Sequence, residues 1–205
     1  MSIDWLDWAR RVQALAQNGL TYTEGPFDRE RYEELHRISM EMLAACGGTD
    51  PARVEALFDG ETGYVTPKVD VRGVVFRDDR ILLVREIEDG FWTLPGGWAD
   101  SGDSPSKAVV KEIREESGFI AAAVKLLAVY DRERHDVPPL PWHVYKLFIR
   151  CEIRGGSARH SLETDGVGFF AEEEIPPLSA GRVTASQIRR MFEHHREPSL
   201  ATDFD

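Results

Sequence analysis

The sequence has little cysteine and no long apolar run. Its 205 residues include two cysteines, Cys46 and Cys151, which lie far apart and lack the spacing of metal ligands. We therefore expect both to be reduced, structural thiols. No apolar run approaches the roughly 18 residues that indicate a transmembrane helix. The opening MSIDWLDWARR places acidic residues and tryptophans where a signal peptide is basic and then apolar. These absences predict a cytoplasmic protein with no membrane partner.

Basic residues are also few. The chain carries 25 Lys and Arg against 36 Asp and Glu, which gives a formal net charge of −11 at pH 7. An excess of negative charge without a basic patch argues against binding to a nucleic-acid backbone. It is compatible with a small phosphate-bearing ligand, because bound metal ions would invert the local field.

The pattern of the chain changes near residues 64–67. Before this point apolar residues recur at helical spacing, and after it short segments rich in β-branched residues predict strands. We assign residues 1–64 to a helical N-terminal domain and residues 65–205 to a second domain. Strands interrupted by two helices suggest that the second domain is an α/β/α sandwich.

The individual elements can be placed from their start and stop signals. Gly19 is expected to end the first helix, Asp28 to cap the second, and Asp78-Asp79 to form the turn between the first two strands. The expected helices cover residues 3–19, 28–46, 51–58, 105–117 and 184–195. The expected strands cover residues 68–76, 80–86, 123–131, 143–154 and 166–170.

The most informative segment is residues 96–119, GGWADSGDSPSKAVVKEIREESGF. Ser104 is a good N-cap, Pro105 suits the first helical position and Gly118 suits the position after the last turn. The helix between them has an apolar side that should dock on a core, formed by Val109, Val110 and Ile113.

Three carboxylates share the opposite face of this helix. Glu112, Glu115 and Glu116 have the spacing i, i+3 and i+4. Because like charges one turn apart repel each other, a hard divalent cation with oxygen ligands is the expected partner. Ala108, one turn before Glu112, should leave room above the carboxylates. A solvated acidic face is the alternative for this pattern taken alone.

The spacing around these residues resembles the Nudix box. That motif consists of G, five residues, E, seven residues, R-E, an aliphatic residue, any residue, E-E, any residue, G and a hydrophobic residue. Asp103 replaces the first Glu and Lys111 replaces the Arg, so we interpret them as a shortened brace that keeps both signs of charge but loses the bidentate fork of Arg. The matching positions are Gly97, Asp103, Lys111-Glu112, Ile113, Glu115-Glu116, Gly118 and Phe119.

The resemblance implies a fold, a cofactor and its ligands. The fold is a Nudix-type α/β/α sandwich around a mixed sheet, and the cofactor is Mg²⁺, with Mn²⁺ as an alternative. Glu112 and Glu116 are the leading ligands, Glu115 is a third or water-bridged one, and the carbonyl of Gly96 is a further one. A glycine suits that position because the backbone must approach the ion closely.

The N-terminal region extends the resemblance. The segments VQALAQNGLTY, PFDRERYEEL and PWHVYKLF resemble the Nudix subgroup that has an N-terminal helical extension, described as CDP-choline or ADP-ribose pyrophosphatases. This implies cleavage of the diphosphate bond in a nucleoside diphosphate linked to another moiety, and a homodimer formed through residues 1–64. Alternatively, that domain supplies part of the nucleobase pocket through Tyr22, Phe27 or Tyr32.

Two other functions are compatible with the same motif. One is a non-catalytic ligand-sensing or interaction domain, which loss of the box carboxylates would favour. Here the carboxylates are intact. The other is hydrolysis of a different substrate, such as a dinucleotide or a nucleoside triphosphate.

The general base is expected either downstream of the box or within it. Glu163 and Asp165 precede a predicted strand and are our downstream candidates, with turn formation as the alternative. A box glutamate is the other candidate, so we count Glu115 and Glu116 with Glu163 as catalytic residues.

Substrate recognition should come from residues outside the box. Arg72 and Arg85, on the early strands, could hold a phosphate, and Trp98 could stack on a base. Tyr22 is our candidate from the helical domain. Surface salt bridges and core packing are the alternatives. The polar, proline-rich segment 131–143 has the character of a loop that gates a site.

Overall fold

The computed structural model describes residues 4–205, whose contacts divide them into two units. The first contains the described residues up to Pro67 together with Leu140–His143, and the second contains Lys68–Pro139 and Val144–Asp205. Our domain boundary between residues 64 and 65 stays a prediction.

The first unit is helical, as expected. Its helices are α1 (Trp5–Tyr22), α2 (Pro26–Gly47) and α3 (Pro51–Phe58). Within residues 4–205, no helix combines the length and the hydropathy that a membrane span needs. The helices enclose a small core made of Ala9, Met40, Leu43, Ala44 and Val54.

The junction between α1 and α2 differs from the expectation. α1 continues past Gly19, where the ring of Tyr32 on α2 lies so close that a Cβ would be 2.3 Å from Cε1. The glycine therefore permits close packing of two helices and does not end the first. α2 begins at Pro26, so our assignment of Asp28 as its cap is wrong. Asp28 lies instead in the first turn, where the helix dipole favours a carboxylate.

A mixed sheet forms the centre of the second unit. The strands are β1 (Lys68–Arg77), β2 (Arg80–Glu86), β3 (Trp92–Thr93), β4 (Phe119–Asp131), β5 (Val144–Gly156), β6 (Thr164–Phe170) and β7 (Asp203–Phe204). Their order in the sheet is β3-β2-β1-β5-β4-β7, with β6 paired to the free side of β2. The pairs β1–β5 and β4–β7 are parallel, and the other pairs are antiparallel.

β1 and β2 separate beyond the turn that joins them. Asp78 and Asp79 have φ values of 49° and 56°, as a type I′ hairpin turn requires, and the two strands pair only next to this turn. The segment 95–99 takes the edge of β1 that β2 leaves open. The Val71 N–H, for example, donates to the Gly97 carbonyl at 2.9 Å. This pairing holds the box glycines against the middle of β1.

Two helices cover opposite faces of the sheet. α4 (Pro105–Ser117) packs through Val109 and Ile113 on the face that contains Val71 and Val75. α5 (Ala185–Arg196) packs through its apolar side on the face that contains Val74. Alternate residues of one strand thus serve two cores. The expected α/β/α sandwich around a mixed sheet is confirmed.

Some elements of the second unit differ from the sequence prediction. β4 begins at Phe119 although we expected it at residue 123, because its alanine-rich start pairs with β5 despite the weak strand preference of alanine. β7, which has two residues, was not predicted. Two short 3₁₀ helices, Arg132–Arg134 and Glu172–Glu174, were also not predicted.

Both cysteines are free, but they differ in environment. Cys151 is buried in the core beneath α4, and burial raises the pKa of its thiol to about 12. It is therefore a structural thiol, as expected. Cys46 is free, as expected, but it is exposed and does not pack in a core.

Candidate active site

The helix α4 is delimited by the residues that the sequence indicated. The Ser104 hydroxyl accepts the Lys107 N–H at 3.3 Å, and Pro105 begins the helix. Gly118 follows the last turn with a φ of 79°. Ala108, which we expected to leave room above the carboxylates, is instead buried in the core with the apolar side of the helix.

The acidic face of α4 lines an open pocket of about 570 Å³. The other side of the pocket is formed by the loop between β5 and β6, which brings Glu163 to the same space as the box glutamates. The lining consists of Glu112, Glu115, Glu116, Arg159, His160, Ser161, Leu162 and Glu163.

Two of these carboxylates are shielded from water: Glu116 is buried and Glu112 is half-buried. Glu116 is 5% exposed, and burial raises its pKa to about 8, although the Gly96 N–H donates to its Oε2 at 2.9 Å and the Arg72 charge lies nearby. Burial, together with the charge of Glu115, also raises the pKa of Glu112. A cation bound beside them would favour the ionised forms of both side chains.

The donor set fits a hard divalent cation. All the candidate donors are oxygens, and Mg²⁺ typically takes one or two carboxylates and keeps several waters. Within residues 4–205, no three His, Cys, Asp or Glu side chains already surround one point. An ion at this face would therefore take further ligands from water or substrate.

The backbone at Gly96 requires glycine. Its φ is 148°, and a Cβ at this position would lie 2.0 Å from the Val71 carbonyl oxygen. The loop therefore passes β1 without any side chain between them. The Gly96 N–H binds Glu116, and the role of the Gly96 carbonyl as a metal ligand stays a prediction.

Asp103 and Lys111, which we interpreted as a shortened brace, each pair with a different residue. Lys111 Nζ binds Asp100 Oδ2 at 2.6 Å, and this hydrogen bond raises the pKa of Lys111. Asp103 pairs with Lys107, which is one turn away on α4. The two residues that replace the Glu and Arg of the motif therefore have separate ion-pair partners.

The two candidate arginines have carboxylate partners. Arg72 is 5% exposed and binds both oxygens of Asp70, at 2.8 and 3.1 Å. Arg85 binds Asp165 at 2.7 Å at the surface. Neither Arg72 nor Arg85 lines the pocket, and Asp165 is not among its lining residues either. Their roles in binding substrate stay predictions.

The candidate aromatic residues lie in different units. Trp98 is 49% exposed and forms an isolated bridge with Asp70 of β1. Tyr22 is 69% exposed at the end of α1 in the first unit. Neither residue lines the pocket. His135, in the segment that we expected to gate the site, lies against the ring of Tyr130.

Sequence reasoning missed the cationic side of the pocket. Arg159 and His160 are exposed and precede Glu163 in the β5–β6 loop. The Arg159 N–H donates to the Ser117 carbonyl at 3.0 Å, which ties the loop to the end of α4. The signal was present as the segment SARHSL, directly before the candidate base Glu163.

Comparison with known proteins agrees with this architecture. A model of the UDP-X-like N-terminal oligomerisation domain matches residues 3–58, and a model of the NUDIX domain matches residues 66–191. YjhB of Bacillus subtilis (strain 168), provisionally named an ADP-ribose pyrophosphatase, is 48% identical over 201 residues, which are 98% of this chain and 97% of that protein.

Two solved structures are similar as well. An ADP-ribose pyrophosphatase from Streptococcus suis 89-1591 is 41% identical with a TM-score of 0.63, and the match covers 68% of this chain and 100% of that one. A UDP-X diphosphatase is 34% identical with a TM-score of 0.64, covering 98% of both chains. The chain belongs to the Nudix hydrolase family and is a pyrophosphatase of that family.

Proposed function

We propose that the chain hydrolyses the diphosphate bond of a nucleoside diphosphate linked to another moiety, with ADP-ribose as the first substrate to test. The observation that carries this proposal is the composition of the pocket. Box carboxylates face Glu163 across it, and Arg159 and His160 stand beside them. This combination provides metal ligands, a proton acceptor and groups for an anionic substrate in one place.

The box residues hold the cofactor in this proposal. Glu112 and Glu116 bind Mg²⁺ or Mn²⁺, Glu115 acts as a third or water-bridged ligand, and the Gly96 carbonyl completes the protein's share. When bound, such ions neutralise diphosphate charge and lower the pKa of water. The raised pKa values of Glu112 and Glu116 support this assignment, because buried carboxylates gain most from a cation.

The β5–β6 loop supplies the remaining groups. Glu163 accepts the proton of the water that attacks phosphorus. Arg159 is exposed at the pocket and can bind a phosphate oxygen, which a guanidinium does well. With ADP-ribose, water adds to one phosphorus and the bridging oxygen leaves with the other, giving AMP and ribose 5-phosphate.

The choice of substrate rests on similarity. Two relatives carry ADP-ribose in their names, and one solved structure is named for UDP-X. All of these compounds share a nucleoside diphosphate linked to a second group, as does CDP-choline. The described pocket does not distinguish among the nucleobases, so we assign the class of substrate and place ADP-ribose first.

A substrate screen tests the proposal directly. The purified chain is incubated with ADP-ribose, UDP-glucose, CDP-choline, NADH, diadenosine polyphosphates and nucleoside triphosphates, with Mg²⁺ or Mn²⁺, and the products are separated by chromatography. We expect nucleoside monophosphate from the linked diphosphates, and no turnover in EDTA. Preferred release of pyrophosphate from triphosphates would contradict the substrate class, and turnover in EDTA would contradict the metal requirement.

We also infer that the chain forms a homodimer through its first unit. α1 exposes Trp8, Leu15 and Tyr22, which recur every seven residues and therefore form one stripe, with Trp5 one turn before it. A stripe of large apolar side chains exposed to water favours association. The matching family model describes this region as an oligomerisation domain, which makes a second copy the expected partner.

A further inference from the structure

A chain of hydrogen bonds joins the β5–β6 loop to the box helix. Thr164 is fully buried, and its hydroxyl lies 2.7 Å from the Glu116 carbonyl oxygen. The Ser161 hydroxyl lies 2.9 Å from that of Thr164. The N–H groups of Glu163 and Thr164 lie 3.0 and 2.9 Å from the same Ser161 oxygen.

The polarity of this chain follows from its ends. A carbonyl oxygen can only accept, so Thr164 donates its hydroxyl proton to Glu116. The Ser161 hydroxyl therefore donates to Thr164. The two N–H groups can only donate, so they fill the two acceptor positions of the Ser161 oxygen. The Ser161 hydroxyl thus has no hydrogen-bonding capacity left for substrate, although the residue lines the pocket.

These bonds fix the main chain of Glu163 relative to α4. The Glu116 carbonyl belongs to the last turn, where carbonyls have no partner within the helix. Thr164 satisfies it, and the Arg159 N–H satisfies the next one, on Ser117. On its other side, the Glu163 carbonyl accepts the Ile87 N–H at 2.9 Å. The candidate base is therefore attached both to the metal-binding helix and to the sheet.

We propose that Ser161 and Thr164 are positioning residues that set the distance between Glu163 and the box carboxylates. The inference rests on the proposed function, in which Glu163 accepts a proton from water held near Glu112 and Glu116. Ser161 and Thr164 act through Glu163 and do not contact the reacting atoms. A displacement of about 1 Å in such a group can cost about 10²-fold in rate.

The central variant is Thr164→Val, which keeps the shape of the side chain and removes its hydroxyl. With ADP-ribose and Mg²⁺, we expect kcat to fall by about 10²-fold while KM changes by less than about threefold, because Arg159 keeps its own bond to the Ser117 carbonyl. Thr164→Ser restores the hydroxyl and should recover most of kcat. Thr202→Val is the matched control, since Thr202 donates to the Leu126 carbonyl at 2.8 Å outside the pocket, and it should leave kcat unchanged.

A double-mutant cycle with Glu163→Gln separates positioning from general stability. If Thr164 acts through Glu163, adding Thr164→Val to Glu163→Gln should lower kcat by no more than about twofold, because the positioned group is already gone. Equal effects of Thr164→Val in both backgrounds would overturn the inference, as would a single variant with wild-type kcat.

A failure of the proposed function would give a different experimental result. If Glu163→Gln alone keeps wild-type kcat, Glu163 is not the base, and both the base assignment and the positioning inference are lost. If Glu163→Gln is slow by about 10²-fold or more and the cycle is additive, only the positioning inference is lost. Circular dichroism checks folding. Should Thr164→Val not fold, Ser161→Ala, in the partly exposed loop, carries the same expectations.

Discussion

The carboxylate of Asp203 on β7 binds the Arg190 guanidinium of α5 through both oxygens, at 2.6 and 2.7 Å. The same carboxylate accepts from Tyr130 at 3.1 Å and lies 3.0 Å from Nε2 of His194. Together these contacts, with the Arg190 hydrogen bond as the largest, hold the pKa of Asp203 well below its usual range. The C-terminal residues are thereby attached to both a strand and a helix.

Asp203→Asn should therefore destabilise the protein at neutral pH. Charge-assisted hydrogen bonds of this kind contribute about 1–3 kcal/mol, and each kcal/mol corresponds to about 2–4 °C in a chain of this size. We expect a fall in Tm of several degrees, measured by thermal melting at pH 7. Glu193→Gln, which removes the exposed carboxylate that also contacts Arg190 at 2.6 Å, is the control and should change Tm by about a degree.

The difference in Tm between wild type and Asp203→Asn should become smaller at acidic pH. A carboxyl group whose pKa is lowered by folding stabilises the fold above its unfolded pKa, about 4, and this stabilisation is lost as the pH falls through the folded value. The Tm difference should be constant from pH 7 to 5 and shrink below pH 4. A difference that stays constant down to pH 3 would refute the ion-pair explanation.

Local signals in the sequence predicted much of this fold. The limits of α4 followed from Ser104, Pro105 and Gly118, and the first hairpin turn from Asp78-Asp79, because caps and turns depend on a few neighbouring residues. The spacing of the box also predicted that its three carboxylates share one face of α4, because residues three and four positions apart lie together on a helix.

Contacts between distant segments could not be predicted in this way. The motif did not identify the partners of Asp103 and Lys111, because these depended on which oppositely charged side chains the fold placed beside them. The bond from Arg159 to the end of α4 exists only because β5 and β6 place their loop there. β7 is too short to give a pattern, and its position depends on the ion pair with Arg190.

Leu15→Glu should convert the proposed dimer to a monomer. Leu15 is 66% exposed in the middle of the α1 stripe, so a carboxylate there would be buried in the proposed interface without a partner. Sedimentation velocity should show a monomer whose circular dichroism is unchanged. Leu57→Glu, at an exposed site on a different helix, α3, is the control and should remain dimeric. A dimeric Leu15→Glu protein would exclude the α1 stripe as the interface.

Gly96→Ala should be much more damaging than an ordinary glycine substitution. Both Gly96 and Gly102 have positive φ, 148° and 92°, but only at Gly96 would a Cβ meet another atom, the Val71 oxygen. Gly102→Ala therefore measures the backbone cost alone, about 1–2 kcal/mol. In thermal melting, we expect Gly96→Ala to lower Tm by at least twice as much as Gly102→Ala does. If the two variants had comparable Tm values, the loop would be able to move away from β1 and the prediction would fail.

Glu116→Gln should uncouple metal binding from folding. The amide keeps the hydrogen bond from the Gly96 N–H but removes a buried carboxylate, so the metal-free variant should melt at or above the wild-type Tm. Increasing concentrations of Mn²⁺ should raise the Tm of the wild type, because the ion binds the native state. The same concentrations should raise the Tm of Glu116→Gln much less.

Turnover of ADP-ribose by Glu116→Gln should fall by about 10²-fold or more, since the ion supplies several kcal/mol of stabilisation in the transition state. Glu174→Gln, which removes an exposed partner of Arg80, should match wild type in both assays. An equal rise in Tm with Mn²⁺ for Glu116→Gln and wild type would rule out Glu116 as a ligand.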